Sequence, residues 1–200
     1  MNRERIGKLI AGLCVTTLLV GMSYGAADAQ VKLVKPANGG TIKIAKSGSY
    51  FLGGPLTTGL TGTSAIAVNA GVNNVTINLN GFAIVGPGAT STLAGGINAS
   101  ASSGVTIING TISRIAGRGI ILGTNSTVAG VQVIGNNGDG ITCASGCLVT
   151  SNVVNNNVGT GLNFADGTSG YQNNVMSGNT TNVIGGTNMG HNVCGAALCP

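Results

Sequence analysis

The chain has 200 residues with 9 Lys and Arg, 4 Asp and Glu and 1 His, so only 6% of it is charged and the formal net charge is +5. Chemistry that needs many carboxylates or imidazoles has few side chains to draw on, and no stretch resembles an RNA or DNA module. With 36 Gly and no sustained three-and-four apolar spacing, the chain is also a poor match for a helical bundle.

Residues 1–29 read as an export signal. Arg3, Arg5 and Lys8 make a basic start, Leu9 to Val20 an apolar centre, and Ala27-Asp28-Ala29 a small-x-small cleavage site. The apolar run is shorter than the ~20 residues that span a bilayer. Cys14 follows Leu13, where a lipoprotein would place a small residue. Cleavage after Ala29 is therefore expected, giving a secreted, periplasmic or cell-surface protein with no membrane span. What remains carries Lys32, Lys35, Lys43, Lys46, Arg114 and Arg118 against Asp139 and Asp166, a net of +4.

Residues 30–200 are expected to form one domain. Residues 30–52 read as an N-terminal cap and first coil, with Thr41-Ile42-Lys43-Ile44 alternating and Tyr50-Phe51-Leu52 a strand. Residues 53–102 read as irregular coils. Asn80-Gly81 and Asn109-Gly110 are 29 apart, one coil plus an insertion of about seven residues placed in 86–95 as a protruding loop. Residues 103–194 are regular, and 195–200 form a tail.

The regular part repeats itself in phase. Gly117-Arg118-Gly119-Ile120, Gly138-Asp139-Gly140-Ile141 and Gly159-Thr160-Gly161-Leu162 step by 21. So do Ile112, Val133 and Val154, before Met176 at 22, and Ile115, Asn136, Asn157 and Asn179 keep the same steps. A period of this length means units that bury their apolar faces only by stacking. Their Val, Ile, Thr, Asn and Gly content and two-residue alternation make them strands. Ile120, Ile141 and Leu162 then form one inward stack and Leu122, Cys143 and Phe164 the next. Gly and Asn clusters are expected at corners with positive φ, and the Asn column as an amide ladder. The prediction is an all-β parallel β-helix of about six to seven coils with a period of about 21–23 residues.

Ser47-Gly48-Ser49-Tyr50-Phe51-Leu52, Val75-Thr76-Ile77-Asn78-Leu79-Asn80-Gly81-Phe82, the Gly-x-Gly-Ile/Leu phrases and Asn174-Val175-Met176-Ser177-Gly178-Asn179-Thr180 resemble the secreted bacterial right-handed β-helix repeat proteins of the pectin-lyase-like superfamily, over roughly residues 40–194. The resemblance implies a right-handed coil. It does not choose among lyase, hydrolase, epimerase and adhesin, because fold and activity are separable.

Candidate catalytic residues are few. Glycoside hydrolysis needs two carboxylates ~5–9.5 Å apart, and Asp139 and Asp166 lie one coil plus six residues apart, about 20 Å round the chain. Calcium needs six to eight oxygen ligands, which so few acids do not supply. A metal-free lyase would use Arg118 to neutralise a uronate and Tyr171 or His191 to carry the proton, while the competing expectation is an exposed Arg118–Asp139 ion pair. His191, Cys194 and Cys199 match no strong zinc spacing, so no metal or cofactor is expected. Cys143, Cys147, Cys194 and Cys199 allow three disulfide pairings. The local pairs 143–147 and 194–199 fit the coil spacing, although the column of Cys143 points it inward as a buried thiol. Phe51, Phe82 and Phe164 read as core, leaving Tyr50 and Tyr171 as exposed platforms for a sugar. The functional expectation is a monomeric, non-catalytic structural or surface-binding protein with acidic polysaccharide or a cell-envelope component as partner, and a lyase or epimerase as the alternative.

Overall fold

The computed structural model describes residues 30–33, 40–59, 63–88 and 95–199. The expected export signal, Lys35 and residues 89–94 of the expected loop lie outside them. The described chain is a parallel β-solenoid with no helix. Each turn contributes one strand to a seven-stranded sheet, giving about seven turns, and one or two strands to a bent 14-stranded sheet. All pairings are parallel except the last, where Val193–Cys194 meets Ala197–Leu198 antiparallel.

Three inward stacks fill the interior. In the smaller sheet Ile42, Ile66, Ile97, Ile120, Ile141, Leu162 and Val183 lie in register. On one arm of the larger sheet the stack is Tyr50, Ile77, Ile107, Val128, Val149 and Tyr171. On the other it is Leu56, Ile84, Ile112, Val133, Val154, Met176 and Cys194. From Ile66 to Leu162, from Ile77 to Val149 and from Ile84 to Met176, every member is at most 1% exposed. β-branched side chains suit these columns because each repeats its neighbour's shape at the ~4.8 Å strand spacing.

The corners are columns too. Asn80, Asn109, Gly130, Ser151, Asn173 and His191 share one corner, all with φ between 53° and 64°. Asn74, Gly104, Asn125 and Gly146 mark a second, and Arg114, Gly135, Asn156 and Gly178 a third. Asn tolerates this left-handed conformation because its amide bonds locally.

The Gly-x-Gly signature has a different cause from the positive φ expected of it. Gly140 does not have positive φ. A Cβ there would sit 2.6 Å from Val154 Cγ1 and 2.7 Å from the Gly161 carbonyl oxygen of the next turn. Glycine is required by close approach, and Gly119 and Gly161 meet equivalent obstacles.

The extra residues of the irregular coils are spread over several places. The step between paired residues falls from 30 (Thr76 to Thr106) to 28 (Ala83 to Thr111), then to 23 (Ile97 to Ile120) and 21 (Thr106 to Thr127). Two are absorbed at Leu79–Phe82, five between Val85 and Gly95, and two between Ala99 and Thr106. Only the middle group falls in the stretch expected to protrude.

The Asn ladder is as expected. Asn136 Nδ2 donates to Asn157 Oδ1 at 2.8 Å, and Asn157 Nδ2 to Asn179 Oδ1 at 2.9 Å. A second ladder runs through Asn152, Asn174 and Asn192, with amide-to-amide bonds of 3.1 and 3.0 Å. Both sets also cap backbone groups that the bends leave unpaired, as in Val131 N to Asn152 Oδ1 at 2.9 Å.

Candidate functional site

The charged cluster of the described chain lies at the entry to the smaller sheet. Arg118 begins the strand Arg118–Leu122, Asp139 holds the equivalent place one turn on, just before Ile141–Cys143, and Arg118 Nε stands 3.4 Å from Asp139 Oδ2. The arginine side chain is half exposed and that of Asp139 is 16% exposed. The carboxylate is heavily engaged. Oδ1 accepts from Thr160 N at 2.8 Å, and Oδ2 accepts from Asn163 Nδ2 at 3.0 Å and Thr142 Oγ1 at 3.3 Å. Thr142 and Asn163 are paired outward positions of the smaller sheet, 21 residues apart. That step was the signal available for finding them, and sequence reasoning followed the inward column instead.

Asp166 lies past the far end of Thr160–Phe164 and is bonded separately. Its Oδ2 accepts from Ser145 Oγ at 2.6 Å, and Oδ1 accepts from Thr168 N at 2.9 Å and Thr168 Oγ1 at 2.6 Å. The Ser145 bond above all, then the Thr168 bonds, hold its pKa below the usual 3.8. Each acid therefore sits in its own hydroxyl and amide cradle.

The other lyase candidates are scattered. Tyr171 belongs to an inward stack of the larger sheet, is 5% exposed, and stacks on Phe164 with ring centroids 5.8 Å apart. Burial raises its phenol pKa above 10.0. His191 is an exposed corner residue three turns beyond Arg118, on the larger sheet's bend. Arg118, Tyr171 and His191 thus occupy an outer strand start, the interior and a corner. No group of three His, Cys, Asp or Glu fit to hold a metal occurs among the described residues.

The aromatic expectations are corrected. Tyr50 is 8% exposed and its hydroxyl donates to the Lys46 carbonyl at 2.8 Å. Phe51 instead faces outward between Lys32 and Asn78. Strand parity decides this, since Tyr50 aligns with Ile77 and Leu52 is 1% exposed, which turns Phe51 to the other face. Tyr171 likewise faces in. Neither tyrosine is the exposed platform expected of it.

Both local cysteine pairs are at bonding distance, Cys143 with Cys147 and Cys194 with Cys199, with Cα separations of 6.5 and 4.9 Å. Cys143 is buried as its column requires and is paired as well. Cys194 tops the stack above Met176, so its pair fastens the end of the solenoid.

Stacked parallel turns, inward aliphatic columns and buried Asn ladders define a β-helix repeat scaffold. The chain belongs to the family described as "Right handed beta helix region", which it matches over residues 37–187. No curated protein and no solved structure is significantly similar to it. No helix among the described residues is long and apolar enough to cross a membrane.

Proposed function

We propose that this chain is an exported, non-catalytic β-helix that binds an acidic polysaccharide or another anionic cell-envelope polymer along its outer surface. The observation that carries the reading is the state of the charges. Asp139 accepts three hydrogen bonds besides facing Arg118, and Asp166 accepts three of its own, so neither carboxylate is poised as a base. Lys32, Lys43, Lys46, Arg114 and Arg118 are all exposed. A rigid rod whose exposed cations outnumber its carboxylates attracts anionic polymers. The signal-like residues 1–29 and the two cysteine pairs suit an oxidising compartment outside the cytoplasm.

The test is to incubate residues 30–200 with pectate, alginate, hyaluronan, chitin and peptidoglycan, following retention, new reducing ends and unsaturated-product absorbance. Retention on the acidic polymers that weakens with salt, without new products, is the expected result. Turnover abolished by Arg118→Ala in a folded protein would replace this reading with a lyase. Absence of both retention and turnover would also overturn it.

A further inference from the structure

The two ends of the solenoid are finished differently. At the start, the outermost strands Val31–Leu33 and Ile42–Ile44 carry exposed Lys32 and Lys43, and exposed Lys46 follows. Lysines on an edge strand oppose pairing with another sheet. At the far end, residues 180–199 contain no Lys, Arg, Asp or Glu. There one arm of the larger sheet is covered by the antiparallel strand Ala197–Leu198, pinned by the Cys194–Cys199 pair, while the other arm ends at the short strand Thr187–Asn188. The smaller sheet is not closed. Its last strand, Thr181–Ile184, pairs with Thr160–Phe164 on one side and with no described strand on the other.

This open edge is rimmed with apolar surface. Ile184, Met189 and Leu198 are 49%, 54% and 73% exposed, and all three belong to the final turn. A cavity of about 300 Å³ opens in the same final turn, lined by Tyr171, Asn182, Val183 and the Cys194–Cys199 pair. Unpaired backbone beside uncharged apolar side chains is the combination that a sheet edge normally avoids.

We infer that this end is the interface of a homodimer in which two copies meet far end to far end, Thr181–Ile184 pairing antiparallel with its own counterpart. This replaces the monomer that the sequence alone suggests. The partner is a second copy for two reasons. An edge strand placed against itself about a two-fold axis satisfies both sets of N–H and C=O groups, which makes the contact isologous and closed. Two uncharged ends also meet without repulsion. Head-to-tail stacking would set this uncharged apolar rim against the exposed lysines of the other end, which it has no acid to meet.

The experiment is sedimentation velocity and light scattering on residues 30–200 over a concentration series. Wild type is expected to have twice the monomer mass. Ile184→Lys, on the edge strand, and Leu198→Glu, on the exposed tail, should each halve it while the circular dichroism spectrum stays unchanged. Val158→Lys alters a side chain 61% exposed in an earlier turn and should leave the dimer intact. Wild type that is monomeric throughout overturns the proposal. Open-ended polymers, or a dimer broken by Lys32→Glu and not by the two end variants, overturn it in favour of head-to-tail contact.

Discussion

Asn157 is the residue through which the buried ladder is best tested. It is 1% exposed and central, with Asn136 before it and Asn179 after it. Its Oδ1 accepts from the backbone N of Asn136 at 3.1 Å and from Asn136 Nδ2 at 2.8 Å. Its Nδ2 donates to the Val133 carbonyl at 3.0 Å and to Asn179 Oδ1 at 2.9 Å. Asn157→Ala strands the Asn136 N–H and the Val133 carbonyl where water does not reach them. Each orphaned group costs about 1–3 kcal/mol, so the loss from the two should be about 2–6 kcal/mol. For a chain of this size that is a fall in Tm of about 10 °C. Asn163→Ala is the comparison, because it removes one partly exposed bond to Asp139 and should cost about 1 kcal/mol or less. Equilibrium urea unfolding of both variants gives the difference. Equal midpoint shifts would refute the claim that the ladder's burial makes its amides costly to lose. A cycle with Asn136→Ala should be non-additive, since the two residues share bonds.

Gly140→Ala should destabilise by about 1–3 kcal/mol in the same assay, because its Cβ meets Val154 and the Gly161 carbonyl. Gly167→Ala, with nothing within 4 Å, should be neutral or slightly stabilising, and equal effects would remove the close-approach explanation. Cys199→Ser opens a loop of separation 5 and should cost about 2 kcal/mol, with non-reducing peptide maps of wild type showing only the 143–147 and 194–199 links. An unchanged Tm would show that the end needs no fastening. Asp166 has a folded-state pKa below its unfolded one, so its contribution is present above the ordinary carboxylate range and is lost as pH falls through the folded value. Asp166→Asn should flatten the acid side of the Tm–pH curve, and an unchanged curve would mean its bonds to Ser145 and Thr168 add nothing.

The stacks were legible because each inward position repeats one kind of side chain at a constant step. Ile112, Val133, Val154 and Met176 needed only counting, and so did Asn136, Asn157 and Asn179. The second ladder was hidden by its last step. Asn174 to Asn192 is 18 residues, because the final turn is short, so the period that finds Asn152 and Asn174 misses the third member. The corners were legible as Gly and Asn clusters. Arg114 and His191 occupy the same left-handed positions without looking like turn residues, and His191 therefore invited chemistry where the fold uses it as a bend. Tyr50 and Phe51 were exchanged because adjacent aromatics satisfy either strand parity until a paired neighbour sets it. The surroundings of Asp139 were harder to read for a related reason: outward positions vary freely in type, so Thr142 and Asn163 share the 21-residue step but not a side-chain kind that would mark them as a column.

The way the irregular turns absorb their extra residues says something about how such a chain grows. Nine residues leave the step between Thr76 and Thr127 without displacing any member of the three stacks, because every change falls where a strand has already ended. Length is therefore adjustable in two independent currencies. Residues added between strands decorate the circumference and leave the axis unchanged, whereas a whole copy of 21 residues taken from the regular part adds one rung of about 4.8 Å and leaves both ends as they were. Lineages and engineers alike can set the reach of the rod and the texture of its side separately.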